Sequence, residues 1–423
     1  TGTTMINATG AVNANGGTLR IRENNQWLNF PYETLVLNSK LTPKLIDSRL
    51  DFRGDKLGTL QVAAQIDPLA KNKTLNGSFS LSGLDLSIAR PFVPMVQKLN
   101  GKLNGSGRLS GDLLAPQVNG SVVLSGGEIS GPELPMNLQD LQVQALIAGE
   151  NVTLDGKWRS GQAGQGTLGG QIGWGQALVV DLNVKGSHLP ITVEPYATLE
   201  AAPDLKISMK DGRLAISGDV SIPKGDITIR QLPASTVKLS GDTVIVGQQT
   251  EEGAPPLAMA MDINVQVGQE KLSFTGFGLT ADLAGRVHIG DNMDTRGELN
   301  LNNGRYRAYG QRLTIRKARI LFAGPVDQPY LDVEAIRQTD DVVAGIRLSG
   351  SAEQPTTTVF SEPAMSQEQA LSYLVLGRPL NNTGEDSNMM AQAALALGLA
   401  GSESTTGELA RNLGIKDFEL DTA

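Results

Sequence analysis

The segment LAMAMDINVQV, residues 257–267, alternates apolar side chains with small or polar ones at every step. A period of two is typical of a β-strand that buries one face and exposes the other. We predict that the apolar face built by such strands, rather than a catalytic site, is the functional surface. In this segment it consists of Leu257, Met259, Met261, Ile263, Val265 and Val267.

The same alternation recurs from the start of the chain to about residue 360. Gly, Asn, Asp or Pro interrupts it every ~8 to 12 residues, which predicts an all-β fold of roughly 30 strands. The further positions assigned to the apolar face are Leu141, Val143, Ala145, Ile147, Leu205, Ile207, Met209, Ile227, Ile229, Val237, Leu239, Leu331 and Val333.

Asn-Gly and Asp-Gly pairs favour the positive φ angles of tight hairpin turns. We therefore predict that these pairs form the turns between the strands. They are Asn76–Gly77, Asn100–Gly101, Asn104–Gly105, Asn119–Gly120, Asp155–Gly156, Asp211–Gly212 and Asn303–Gly304.

A sheet of this many strands does not stay flat, and its apolar face has to be covered. A second sheet, closure of the sheet on itself, or curling around an apolar ligand would each cover it. The residues alone leave these three arrangements open. They also leave open a lipid-conducting groove and a chaperone that offers its sheet edge to other strands. An adhesin-like or enzyme-like solenoid would show a tight constant repeat and a cluster of exposed aromatics or carboxylates, and the sequence shows neither.

The pattern changes after Pro363. Ser366 and Gln369 form a capping-box pattern, and Gly377 supplies a stop, so we predict a helix from Gln367 to Leu376. Further helices are predicted at 388–399 and 406–413, and a strand at 416–420. The most apolar stretch, 389–401, is roughly half the ~20 residues that a membrane-spanning helix needs.

Residue types that commonly carry catalysis are scarce. Cysteine is absent, which excludes disulfides and thiol chemistry. The two histidines, His188 and His288, are far apart in sequence and lack metal-ligand spacing. No G-x-S-x-G motif is present. We predict that the chain is not an enzyme and binds no metal or cofactor.

Two other motifs have structural explanations. The glycines of Gly164–Gly169 match G-x-G-x-x-G, but 171–184 alternates like a strand where a dinucleotide site needs a helix, so these glycines are predicted to make turns or bends. The basic cluster between Arg305 and Arg319 is interpreted as the wet face of two strands; contact with anionic headgroups or an acidic partner is the alternative. A formal net charge of -8 offers no basic stripe, which argues against nucleic acid as a partner.

Two stretches near the C-terminus carry a family resemblance. Residues 322–335 are FAGPVDQPYLDVEA, and residues 360–378 are FSEPAMSQEQALSYLVLGR. Both resemble the C-terminal module of the TamB family, and the resemblance continues along the whole chain. That family belongs to the AsmA-like, repeating β-groove group.

The resemblance implies a long curled β-sheet that forms a taco-shaped groove with an apolar interior, followed by short C-terminal helices. We then expect an elongated β-groove over 1–363, a helical segment over 364–415, and the start of a further strand over 416–423. The side chains assigned above to the apolar face would line the groove and contact phospholipid acyl chains.

The resemblance also implies a location and partners. Family members are held in the inner membrane of Gram-negative bacteria by an N-terminal helix, cross the periplasm, and contact the outer-membrane barrel protein TamA. The implied function is anterograde phospholipid transport between the membranes, with assembly of outer-membrane barrels and autotransporters as the alternative. We expect the anchor and the family's last strands to lie outside this sequence, and TamA contact to involve mainly those residues.

Overall fold

A computed structural model describes residues 7–23, 26–93, 95–175, 177–229, 258–276, 279–308, 311–339, 341–352 and 356–380. These residues form 21 strands of one hydrogen-bonded sheet, so the predicted all-β class is confirmed. The described strands range from 5 to 19 residues and several are longer than the pattern predicted. The prediction of roughly 30 short strands is therefore wrong for the described residues.

The strands alternate with turns in chain order. They are β1 Ala8–Glu23, β2 Gln26–Leu41, β3 Ile46–Gly54, β4 Gly58–Ile66, β5 Leu75–Asp85, β6 Lys98–Asp112, β7 Ala115–Ser130, β8 Leu138–Gly149, β9 Asn151–Ser160, β10 Gly164–Gly173, β11 Val179–Ser187, β12 Leu189–Val193, β13 Ala197–Lys210, β14 Arg213–Ile229, β15 Ala258–Gly276, β16 Leu279–Ile289, β17 Asp294–Ala308, β18 Gln311–Pro325, β19 Tyr330–Thr339, β20 Val342–Ser351 and β21 Thr356–Glu362. Two 3-10 helices, Leu86–Phe92 and Asp291–Met293, and one α-helix, α1 Gln367–Val375, complete the described elements.

Pairing follows the chain. Each strand from β1 to β11 is antiparallel to the next, β11 pairs with β13, and the sequence of neighbours resumes from β15 to β21. Short hairpin connections allow this antiparallel order without crossover segments. The result is a meander in which local sequence decides each pairing.

Six of the seven pairs predicted as turns lie inside strands, and only Asp211–Gly212 makes a turn, with both residues at positive φ. In the strands the asparagine or aspartate lies on the exposed face and the glycine on the apolar face, where there is no room for a side chain. A Cβ added at Gly304 would lie 2.6 Å from Cγ1 of Ile315, and one at Gly77 would lie 2.5 Å from the Ala63 carbonyl oxygen. Close approach, rather than a turn, requires these glycines.

The glycines of the G-x-G-x-x-G match also lie in a strand, because residues 164–169 are the first six of β10. The prediction that they make turns or bends is wrong. Gly166 is directly opposite Trp158 of β9, and its missing side chain makes room for the indole.

The chain forms two compact units. Unit 1 comprises residues 1–192, 200–218 and 256–260, and unit 2 comprises 193–199, 219–255 and 261–423. Unit 1 has few buried apolar side chains among its described residues; they are Leu75, Val96, Leu99, Leu124, Leu189 and Ala201. Unit 2 has two larger clusters, which we call clusters 1 and 2. Cluster 1 is built on Leu313, Ala335, Ala344, Ile346, Val359, Ala370, Leu371, Leu374 and Val375. Cluster 2 is built on Val267, Leu272, Ala281, Leu283, Leu301 and Ala318.

Helix α1 confirms the capping pattern seen in the sequence. The Ser366 hydroxyl accepts a hydrogen bond from the Gln369 amide at 3.4 Å, which satisfies one of the free amides of the first turn. At the other end Gly377, at φ 76°, donates to the carbonyls of Ser372 and Tyr373. The segments predicted as helices at 388–399 and 406–413, and as a strand at 416–420, lie outside the described residues.

Candidate functional site

Strand register in unit 1 places apolar residues of successive strands directly opposite one another, on one face of the sheet. The longest such series, which we call row 1, runs from β1 through β11 to β13. Row 1 is Val12, Leu37, Leu50, Val62, Phe79, Gly107, Gly120, Ile147, Val152, Ile172, Val180 and Met209.

Two further series lie beside row 1 on the same face, because they are two residues along each strand. Row 2 is Ala14, Leu35, Phe52, Leu60, Leu81, Gly105, Val122, Ala145, Leu154, Gly170, Leu182 and Ile207. Row 3 begins at β5 and is Leu84, Leu103, Leu124, Val143, Gly156, Leu168, Val184 and Leu205.

The opposite face of the same strands is mainly polar. The series next to row 1 is Asn13, Val36, Asp51, Gln61, Ser80, Ser106, Ser121, Leu146, Thr153, Gln171, Asp181 and Ser208. Rows 1 to 3 contain no polar side chain at all. The sheet of unit 1 is therefore amphipathic over its paired strands.

The side chains of the three rows are not sealed from solvent by the described part of the chain. Val12 is 53% exposed, only Leu124 is buried, at 9%, and the other side chains are half-buried. Apolar side chains between two packed sheets would instead reach core burial. The rows thus form an extended apolar surface that is accessible from one side.

Glycines in the rows make room for neighbouring bulky side chains. A Cβ at Gly107 would lie 2.6 Å from Cε1 of Phe79, the residue paired with it in row 1. Beside row 3, two residues beyond Gly156 on β9, Trp158 lies against Gly166 of β10, and its indole nitrogen is buried without a hydrogen-bond partner. Besides leucine and valine, the face thus contains a few aromatic side chains and the glycines that make room for them.

The structure brings together the positions that the sequence assigned to the apolar face in this unit. Ile147 and Met209 belong to row 1, Ala145 and Ile207 to row 2, and Val143 and Leu205 to row 3. Leu141 is opposite Gly127 and extends the face beyond row 3. Whether they contact lipid is a prediction that the geometry permits.

Most of the other row residues were missed in the sequence. Val62 and Leu60 alternate with Gln61 and Thr59, a pattern that identifies one face of β4. In β5 to β7, however, glycines occupy many row positions and reduce the apolar count of each strand. In these strands a polar residue at every second position, whatever residue lies between, would have identified the apolar face better than a count of apolar residues.

In unit 2 the predicted positions are packed more tightly. Val267 is 8% exposed within cluster 2, and Val265, Ile227 and Val333 pack against that cluster. Met261 and Ile263 are half-buried, and Ile263 is opposite Ile289.

The remaining positions are in varied surroundings. Leu331 is half-buried opposite Ile320. Met259, which belongs to unit 1, is 50% exposed. Val237, Leu239 and Leu257 lie outside the described residues, as does the side chain of Ile229 at the end of β14.

The basic cluster of the sequence forms ion pairs on the polar face of unit 2. Glu334, 6% exposed, accepts from Arg316 Nε and from Arg347 Nη2, the latter at 2.7 Å. Both guanidinium groups also lie over the Phe360 ring, at 5.3 and 5.4 Å from its centroid. A second guanidinium of the cluster, Arg319, donates to Asp332 at 2.7 Å. The structure thus agrees with a polar strand face and offsets much of its positive charge.

These pairs shift carboxyl pKa values in the direction that favours the ion pairs. Burial alone would raise the pKa of Glu334, but hydrogen bonds from Arg347 and Arg316 outweigh it and lower that pKa. Hydrogen bonds from Lys317 and Arg319 lower the pKa of Asp332. The result is a surface of paired charges rather than a poised acid or base.

The histidines also occur in ordinary polar contacts. His188 Nδ1 lies 2.6 Å from Glu200 Oε1, and His288 Nδ1 lies 3.2 Å from Asn264 Oδ1. Within the described part of the chain, no group of three or more His, Asp or Glu residues could hold a metal ion.

Comparison with known families places most of the chain in two family models. Residues 154–423 match the model of the TamB C-terminal domain, and residues 2–124 match that of the TamB N-terminal domain. The chain belongs to the TamB family. The two matches therefore cover most of the rows of unit 1, apart from their positions within 125–153, and the strands and helix of unit 2.

A curated TamB relative comes from Haemophilus influenzae (strain ATCC 51907 / DSM 11121 / KW20 / Rd), where it is named translocation and assembly module subunit TamB. It is 28% identical over 416 residues, which cover 92% of this chain. The chain spans about a third, 32%, of that relative's length. In the described part of this TamB-family chain, no helix is long and apolar enough to span a membrane.

Proposed function

We propose that this TamB-family chain is a non-enzymatic conduit for phospholipid between the inner and outer membranes of a Gram-negative bacterium. It would lie in the periplasm and act as part of a complex of the TamA–TamB type. The observation that carries the proposal is the uninterrupted apolar surface of rows 1 to 3. Membership of the TamB family, one of whose relatives is a translocation and assembly module subunit, supports it.

The chemistry of the rows suits acyl chains. A hydrocarbon chain needs contiguous apolar area and no specific hydrogen-bond partner, because its transfer out of water is driven by non-directional hydrophobic free energy. Aliphatic side chains, Phe79 and Met209 supply that area, and rows 1 to 3 place no charge in the path.

The length of row 1 favours movement along the surface over a single binding pocket. Neighbouring strands are about 4.8 Å apart, so the row extends for about 50 Å along the sheet. One acyl chain reaches roughly 15 Å, half the thickness of the hydrocarbon core of a bilayer. Row 1 can therefore accommodate several acyl chains in succession.

Site-specific photocrosslinking in living cells tests the proposal. A photoreactive residue is placed at Val62 in row 1 and at Leu154 in row 2. The matched controls are the preceding residues, Gln61 and Thr153, whose side chains are exposed on the polar face. The two residues of each pair, Val62 with Gln61 and Leu154 with Thr153, are neighbours on one strand, but their side chains lie on opposite faces of the sheet.

Phospholipid adducts at Val62 and Leu154 but not at Gln61 and Thr153 are the expected result. Lipid adducts at neither face would reject the conduit. Crosslinks to strands of newly made barrel proteins in place of lipid would instead favour the assembly function. The two functions are thereby separated in one experiment.

A further inference from the structure

The last strands of unit 2 carry two neighbouring series of residues on one face that differ in burial. Ala335, Ile346 and Val359 are directly opposite one another on β19, β20 and β21, and they are 2%, 8% and 9% exposed. Two residues along the first two strands, on the same face, Val333 and Leu348 are only half-buried, like the rows of unit 1. Another part of the chain therefore covers Ala335, Ile346 and Val359 but leaves the side chain of Leu348 partly exposed to solvent.

Helix α1 is that cover. It packs on β19, β20 and β21, and its residues Leu371, Leu374 and Val375 are 1–3% exposed within cluster 1. Tyr306 and Ile315 pack against the same cluster from the adjoining strands. The helix therefore lays its apolar side on the face that would otherwise continue as an open apolar surface.

One polar clamp fixes the helix in place. Arg337, a β19 residue opposite Ala344, donates through Nη1 to the carbonyls of Leu374 and Val375, at 3.0 and 2.9 Å. These carbonyls belong to the last turn of α1, where carbonyl groups lack partners within the helix. A positive charge at this end also complements the helix dipole.

The sheet does not depend on the helix for its hydrogen bonds. β19, β20 and β21 pair with one another over their described lengths. α1 has only nine residues, which is too short for a stable helix in water without tertiary packing. Release of α1 would thus melt the helix, leave the ladder of strands intact, and uncover apolar area.

We propose that α1 is a displaceable internal occupant of an acyl-chain-binding surface on β19–β21, so that the helix and an acyl chain exclude each other there. This inference rests on the proposed function, because it assigns the same ligand class to a second surface. The helix keeps that surface dry in the absence of lipid and yields it when an acyl chain arrives.

Hydrogen exchange on the full chain tests the proposal, with the amides of α1 compared with those of β20. Arg337→Ala removes the clamp, and we expect α1 amides to exchange about tenfold faster or more while β20 amides stay protected. Arg312→Ala, at an exposed arginine of β18, is the matched control. Gly377→Ala is a second variant that weakens the helix end, since alanine is strained at φ 76° and its Cβ would lie 2.6 Å from Nη2 of Arg337, the clamp residue.

Ligand dependence is measured by adding phosphatidylethanolamine vesicles to the wild-type chain. We expect the vesicles to accelerate α1 exchange, and glycerophosphoethanolamine, which has the same headgroup without acyl chains, to leave it unchanged. The proposal would be overturned if vesicles left the exchange rate of the α1 amides unchanged, or if they raised it only together with the exchange rate of the β20 amides.

A parallel sample, in which a photoreactive residue replaces Leu154, receives the same vesicles. Lipid adducts at Leu154 with an unresponsive α1 would remove only the helix proposal. Absence of adducts at Leu154 would remove the proposed function itself.

Discussion

The indole of Trp158 lies directly over Gly166, its cross-strand partner, so that a Cβ at Gly166 would overlap the ring. The pair lies on the apolar face of unit 1, beside row 3. A large flat side chain is accommodated there only because the opposing strand has no side chain. This relationship makes Gly166 a packing position, although its surroundings match a nucleotide-binding motif.

Gly166→Ala should lower the free energy of unfolding by about 1–3 kcal/mol, because the added methyl group forces the Trp158 ring to move. The measurement is urea denaturation followed by circular dichroism. Gly169→Ala in the same strand is the matched control, since its added Cβ would meet nothing closer than the Leu154 carbonyl oxygen at 3.9 Å. Equal losses for both variants would contradict the packing role of Gly166.

Leu154→Asp should reduce the phospholipid that copurifies with the chain about tenfold or more, because an unpaired carboxylate on row 2 costs several kcal/mol against an acyl chain. Bound phospholipid per chain is measured by mass spectrometry. Thr153→Asp places the same charge one residue away on the polar face and should leave lipid content unchanged. Loss of the folded state in Leu154→Asp, seen by circular dichroism, would indicate a structural core instead of a lipid surface.

A charge introduced at Met261 or Ile263 tests the apolar face in unit 2. Both side chains are half-buried, so we expect Ile263→Asp to reduce transport while the chain largely stays folded. Val267→Asp is different, because Val267 is 8% exposed in cluster 2 and a charge there should unfold the unit. Thermal denaturation of both variants checks this contrast; equal destabilisation would show that Ile263 is also core.

Glu334→Gln should destabilise unit 2 by about 2 kcal/mol at pH 7, since it removes the charge from two arginine hydrogen bonds at a buried position. The pKa of Glu334 is lowered in the folded chain. Its contribution is therefore fully present above the unfolded pKa of about 4.3 and is lost as pH falls through the lower folded value.

The difference between wild type and Glu334→Gln should thus shrink as pH falls below about 4, when urea midpoints are compared across pH. Asp341→Asn, at an exposed carboxylate, is the control and should differ little from wild type at any pH. A difference for Glu334→Gln that is constant with pH would exclude the ionic explanation.

Ser366→Ala should weaken α1 by about 1 kcal/mol through loss of the cap to the Gln369 amide. Faster hydrogen exchange in α1, with β20 unchanged, is the expected observation. Ser366→Asp should restore slow exchange because aspartate caps equally well. Failure of the aspartate variant to restore it would mean that the serine acts through packing.

Two features of the fold could be predicted from sequence because local chemistry decides them. Alternation identified Leu141–Ile147 and Leu205–Met209 as strands with one apolar face, since that period has no other simple structural meaning. The cap at Ser366 and the stop at Gly377 located α1 to within one residue. Both depend only on residues within a few positions of each other.

Strand length and the rows themselves could not be predicted. Asp155–Gly156 in a strand and Asp211–Gly212 in a turn are the same dipeptide, so the local sequence cannot tell the two apart. In the strands the glycine is required by its neighbour, as Gly304 is by Ile315. Row membership depends on register between strands, which is a relation between distant residues. Val267 is buried and Leu154 is only half-buried, and this difference likewise depends on which neighbouring side chains pack against each residue.

The sequential pairing of β1 to β11 has a consequence for how such a chain changes over time. Because each strand is hydrogen-bonded to the strands next to it in sequence, inserting or deleting one hairpin moves its neighbours apart or together without altering their own register. Each added pair of strands lengthens the sheet by about 10 Å. The length of this sheet can thus be adjusted in units of one hairpin, so that duplication or loss of the gene segment that encodes one hairpin changes a distance while leaving the chemistry of the surface intact.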